Sequence, residues 1–261
     1  NISPGDELKE TATKMRALGA IGVTPDGRWF AYSKAGGALD VGIPCQAPAA
    51  LGDMDSSDTA CKLVTSITTY AITVKYLRFS TTWGTVGGST GATKDLFKDG
   101  FVWLVSGTGA GQMLRIKGNT TGSSGTAGQY TDIQLRDAER LHEAIDTQVT
   151  AVLRRNKYDG VIEYAGLATI TGEIVGVPPM DVTSGYYFWL QTKGTCPVLT
   201  DGTVVMGQVV IPSTSTGVQA VQAIVTATGI DLMNTLRDQR VGIVLVVAGD
   251  TKYSLVNLEL A

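Results

Sequence analysis

Histidine is almost missing from this 261-residue chain. The single His142 leaves one position through which a Ser-His-Asp or Cys-His mechanism could pass, and metal sites built on several imidazoles are excluded by count. No G-x-S-x-G elbow accompanies it, and the polar context Arg140-Leu141-His142-Glu143 reads as solvated surface. Cysteine is scarce too. Cys45, Cys61 and Cys196 are odd in number, far apart and without a C-x-x-C pair, which argues against structural zinc and against a disulfide framework. Separated reduced thiols are the plainer reading beside a single Cys45–Cys61 bridge, and they fit assembly in a reducing cytosol. Charge is low, at 17% against the roughly 25% usual for soluble domains. Lys+Arg 21 against Asp+Glu 24 gives net charge −3 with no basic run, which argues against a nucleic-acid binder driven by phosphate neutralisation. Long apolar runs are also lacking. The most apolar stretch, Val241 to Ala248, falls far short of the roughly 20 residues of a membrane helix. The N-terminus has no charged-then-apolar order of a signal peptide, so a soluble, non-secreted chain is expected, with no membrane partner.

What is present is hydrophobic content of 43% and 32 glycines, a turn-rich β composition in a chain long enough for one large or two small domains. Ser3 before Pro4, followed by Leu8, Ala12, Met15 and Leu18 at spacings of four, three and three, suits a short amphipathic helix stopped by Gly19. An extended arm lying on another subunit satisfies the same side chains. Arg28 to Tyr32 reads as a short aromatic strand after turn chemistry at Gly22 to Gly27. Strands are expected within 63–79, at Phe101 to Val105, Leu114 to Lys117, Thr131 to Leu135 and Val149 to Leu153. Further strands are expected at Glu173 to Val177, Tyr186 to Thr192, Thr203 to Ile211, Val218 to Thr226, Val241 to Val247 and Tyr253 to Leu260. Short strands without long intervening helices predict an all-β fold of compact β-sandwich or barrel-like units with an extended or partly helical N-terminal arm. The expected division is an arm and linker over 1–62, a first β domain over 63–156 and a second over 157–261.

The motifs that could carry chemistry are weak. Asp53 to Asp58 imitates a calcium loop, but Asp58 stands where that loop needs Gly and Val64 where it needs Glu. Gly107-x-Gly109-x-Gly111 lacks the helix and the Lys-Ser/Thr of a phosphate cradle and reads as a hairpin loop. Asn119-Thr120-Thr121 matches a glycosylation sequon without a secretion signal. In Tyr186-Tyr187-Phe188-Trp189, strand alternation puts Tyr187 and Trp189 on one face, half core and half interface. No acidic pair stands out as a glycosidase pair.

Several segments taken in order carry a resemblance. They are Ala17-Leu18-Gly19 leading to Pro25 through Gly36; Lys98-Asp99-Gly100-Phe101-Val102-Trp103 with Gly107 through Gln112 and Arg115-Ile116-Lys117-Gly118; Asn156-Lys157-Tyr158-Asp159-Gly160; Gly176-Val177-Pro178-Pro179 through Gly185 to Thr192; and Val241-Gly242-Ile243 to Gly249 through Leu258. This order resembles a virion structural protein of tailed bacteriophages, of the capsid-decorating or cement type. The resemblance implies a non-catalytic β-rich protein, often a homotrimer, that binds the assembled major capsid protein on the outer capsid surface and reinforces the DNA-filled head. It implies no enzyme activity and no cofactor. On the residues, an aromatic and apolar arm has the form of a module that buries itself against neighbours. Leu8, Met15, Leu18, Arg28, Trp29, Phe30 and Tyr32 are therefore the expected capsid or inter-subunit contacts. The alternatives are a host-surface-binding head fibre or tail protein, with glycans met by loop tips at Thr85 to Gly91 and Asn119 to Gly128, and a carbohydrate-active enzyme using a carboxylate pair.

Overall fold

A computed structural model describes residues 2–48, 69–80, 93–121, 130–146, 149–164, 172–213, 220–223 and 239–260. The Asp53–Asp58 loop, Cys61, the loop at 85–91 and most of the loop tip at 119–128 lie outside them. Among the described residues the chain is all-β. The strands are β1 (Ile21–Val23), β2 (Trp29–Ala35), β3 (Cys45–Gln46), β4 (Thr69–Tyr70), β5 (Tyr76–Ser80), β6 (Phe101–Ser106), β7 (Met113–Asn119), β8 (Tyr130–Leu135), β9 (Ile145–Asp146), β10 (Thr150–Arg154), β11 (Asp159–Glu163), β12 (Ile174–Gly176), β13 (Tyr187–Leu199), β14 (Val209–Pro212), β15 (Val221–Ala223), β16 (Gly242–Val246) and β17 (Tyr253–Glu259).

Two compact units divide the chain, one from Asn1–Ala49 with Lys157–Ala261 and the other from Ala50–Asn156. The first 49 residues are thus part of a unit rather than a separate arm. In the second unit the strand order is β10-β6-β7-β8-β5, all antiparallel, with β4 and β9 paired apart. Its strands alternate as the sequence predicts: Leu114 and Ile116 are buried while Arg115 and Lys117 face out. The buried cluster Leu77, Phe79, Phe97, Val102, Leu104, Ile116, Ile133 and Leu153 fills one face. The glycine-rich segment 107–111 is the β6–β7 hairpin loop. Gly107, Gly109 and Gly111 all have positive φ there, so the turn and not a phosphate requires them. Across β5 and β8, Arg78 and Asp132 face each other and form two side-chain bonds of 2.7 and 2.9 Å.

The sequon at Asn119 is also explained. Its side chain is buried, its Oδ1 accepts the Phe97 N–H at 2.9 Å, and its Nδ2 donates to the Thr93 and Thr120 carbonyls at 2.8 and 2.9 Å. The amide that a glycan would occupy is spent on pinning the 93–97 turn.

In the first unit the strand order is β12-β3-β11-β2-β13-β17-β16-β14-β15, with β1 beside β2. Val177 and Gln191 exchange two backbone hydrogen bonds of 2.9 and 3.0 Å, which brings the β12 end back onto β13. Five strands, β12, β3, β11, β2 and β13, thereby form a ring with one parallel pair, β11 with β2. Gly176 permits the closure, because a Cβ there would meet the Gln191 carbonyl oxygen at 2.7 Å and the Leu190 side chain. Phe30, Ala31, Ala35, Cys45, Val161, Val175, Phe188 and Leu190 are buried on this ring. A second cluster, including Val198, Val210, Val244, Val256 and Leu258, underlies the other end of the sheet.

The helix considered over Ser3 to Leu18 is not formed. One short 3-10 turn, Asp6–Leu8, follows Gly5 at φ +87°, and Lys9 is already extended. The backbone groups a helix would pair are given to the sheet: Thr11 and Tyr187 exchange two bonds of 2.8 Å. The strand expected over Thr203 to Ile211 shrinks to β14, since Gly207 at φ +80° and the Gln208 N–H bond to the Val205 carbonyl make 205–208 a turn.

Candidate interaction surfaces

Strand β13 has two halves. From Phe188 to Thr192 every residue is buried, so both faces are covered; from Lys193 to Val198 burial follows the pleat, with Cys196 and Val198 inward and Thr195 and Pro197 outward. What covers the first half is the segment 2–18. On its face of β2 and β13, Trp189 lies opposite Tyr32, and Tyr187 opposite Lys34. Tyr32 stacks on Tyr187 with ring centroids 6.0 Å apart and meets Trp189 edge-on at 5.2 Å. The Lys34 ammonium lies over Tyr187 at 5.7 Å and the Arg16 guanidinium over Trp189 at 5.6 Å.

The expected contact residues fall into two groups. Leu8, Met15 and Trp29 are exposed at 55%, 70% and 40%, with Trp29 beneath the Lys193 ammonium. Leu18, Phe30 and Tyr32 are buried within the chain's own core, so in the single chain their apolar surface is already covered. Arg28 is spent internally, bonded to Asp26 at 2.7 Å, 3.4 Å from the buried Glu7 and over the Phe30 ring. Asp26 accepts from the Thr24 hydroxyl and from Arg28, and these bonds hold its carboxyl down at about 2. Its folded value lies below the ordinary one, so its contribution to the β1–β2 turn is present above the ordinary carboxylate range and is lost as pH falls toward 2. A carboxyl-carbon NMR titration is expected to show this, and Thr24→Val is expected to move the midpoint upward.

A second surface was missed in the sequence. On the outward side of β13, β17 and β16, Pro197 faces Leu255, which faces Val246; Leu199 faces Tyr253; and Asn257 faces Ile243. Beside this end of β16 sits the 205–208 turn, its Gly207 N–H donating to the Val244 carbonyl at 2.8 Å. That turn presents Val205 and Met206, the latter 67% exposed, next to Leu245, Val246 (53%) and Val247. An antiparallel sheet normally turns polar side chains outward, whereas the central rows here carry no charge. The only signal in the sequence was the unbroken run Ile243 to Val247, which suits a strand covered on both faces as well as one with an apolar outer face.

Among the described residues, no group of three or more His, Cys, Asp or Glu side chains could hold a metal ion. His142 is exposed, its backbone N–H bonded to the Gln112 side chain. Cys45 and Cys196 are buried free thiols. Burial, with Glu163 adding to it, pushes the Cys45 thiol far up, and burial raises Cys196 to about 12 against the opposing pull of Arg28. Neither is a thiolate nucleophile near neutral pH. No helix among the described residues is long and apolar enough to cross a membrane. No protein family, curated protein or solved structure matches the chain.

Proposed function

We propose that the chain is a non-catalytic structural protein of a tailed-bacteriophage virion, a decoration or cement protein that binds the assembled major capsid protein shell. The observation that carries this reading is the set of uncharged central rows on the outward face of β13, β17 and β16, with Val205 and Met206 beside them. A contiguous exposed apolar face on a folded unit marks an interaction surface. Resemblance in the ordered segments supplies the kind of partner. The exposed Leu8, Met15 and Trp29 belong to the same unit and remain available as further contacts, and a homotrimer is the assembly the resemblance implies.

Binding only to the assembled lattice stabilises that state by mass action. Co-sedimentation with particles stripped of this protein is therefore expected to saturate at a fixed copy number, with little binding to unassembled coat subunits. Val246→Lys places a charge in the central apolar row and is expected to weaken particle binding at least tenfold while leaving the fold intact, because Val246 is exposed. Unchanged binding by that variant removes this face from the interface, and failure of the unaltered protein to bind stripped particles overturns the reading.

A further inference from the structure

We propose that residues 2–18 form an exchangeable strap, and that the aromatic ledge beneath it is a docking site for the same segment of a second copy of this chain. The segment leaves the sheet at a tight turn in which the Ala20 N–H donates to the Ala17 carbonyl at 3.1 Å and Gly19 sits at φ +79°. It then crosses β13 and returns to the end of β1, where the Ile2 N–H donates to the Val23 carbonyl at 3.1 Å. The Ile2 side chain fills the space left by Gly22 beside Trp189; a Cβ on residue 22 would overlap it.

Between these ends the segment is held at separate points. Its contacts are the Thr11–Tyr187 pair of backbone bonds, the Glu10 carboxylate accepting from the Thr183 N–H and hydroxyl at 2.7 and 2.8 Å, and the Met15 N–H donating to the Tyr32 hydroxyl at 3.0 Å. Arg16 over Trp189 and Glu7 near Arg28 complete the seat. These contacts join the segment to the sheet, while its own local order is one 3-10 turn, the Lys9–Asp6 ion pair, the Gly5 N–H donating to Glu7 and the Thr11 hydroxyl donating to the Thr13 carbonyl. It can therefore move as a piece without breaking a ladder of its own.

Every one of those contacts is available in identical form from a neighbouring copy. The balance between the two arrangements then rests on the turn at 17–20 and on the local concentration of neighbours. Gly19 takes the left-handed or the extended conformation with no side-chain penalty, so the turn can open, and short hinges favour exchange. Crowding copies together raises the effective concentration of the neighbour's segment against that of the chain's own. Tyr32 and Trp189 are buried with the segment in place, and leaving the ledge bare would return aromatic surface to water.

The inference stands apart from what the protein decorates, and its test needs no particle. Thr11 and Tyr187 are a hydrogen-bonded antiparallel pair, whose Cα separation of roughly 5.5 Å matches a disulfide. Thr11→Cys and Tyr187→Cys chains, one carrying a size tag, are co-expressed and oxidised. A mixed disulfide-linked dimer absent when either variant is expressed alone is the expected result. Its absence, while the double variant closes the bond within one chain, overturns the proposal. Sedimentation of the unmodified chain gives an independent readout. An oligomer that a flexible Gly-Ser insertion between Leu18 and Gly19 converts to monomer supports exchange; a monomer throughout, or an oligomer indifferent to the insertion, overturns it.

Discussion

Phe30→Ala is expected to lower the stability of the first unit by about 3–5 kcal/mol, the range for truncating a fully buried aromatic side chain. Phe30 has no exposed surface and lies opposite Gln191 in the β2–β13 pairing. Gly22 of β1 lies opposite it on the other side. Collapse of the cavity is opposed because β2 is held at Phe30 between β1 and β13, and further along by β11. Denaturant unfolding followed by near-UV circular dichroism measures the effect. A loss below about 1 kcal/mol is the cost of a surface substitution and would mean that β2 is a peripheral arm after all. The same reasoning predicts that removing residues 1–35 destroys the unit instead of merely shedding a contact segment.

Asn119→Asp is expected to destabilise the second unit by about 3 kcal/mol or more, by the cost of a buried charge without a partner. The amide nitrogen now points at the Thr93 and Thr120 carbonyl oxygens, and a carboxylate oxygen in its place faces two acceptors with no hydrogen to share. The other oxygen keeps the Phe97 N–H, so the damage comes from one end of the side chain. Thermal unfolding is the measurement. A variant as stable as the parent would show that the 93–97 turn is not pinned through this residue.

The hairpins of the second unit were legible because each strand carries its own pattern. Met113 to Asn119 alternates apolar with polar side chains, and the glycines at 107–111 mark the reversal that joins β6 to β7. The first unit defeated local pattern at two places. Leu8, Ala12, Met15 and Leu18 have helical spacing, yet only Leu18 is buried, because the segment's backbone bonds go to Tyr187 and Tyr32. Nothing within residues 1–40 announces that Phe30 pairs with Gln191, a partner more than a hundred positions away. A segment with an aromatic strand and few neighbours in sequence therefore looked like an arm, although distant strands had supplied its core. The alternation in Tyr186 to Trp189 was correctly placed, with Tyr187 and Trp189 on one face, but the cover over that face comes from the far end of the chain. The apolar face of β16 was visible as composition and became a surface only when register showed Pro197, Leu255 and Val246 side by side.

The most direct test of a cement role is the temperature at which packaged DNA escapes from particles stripped of this protein, measured before and after adding it back. A protein that binds the assembled shell selectively raises that temperature in proportion to occupancy until the sites are filled. A release temperature unchanged at full occupancy contradicts reinforcement of the head.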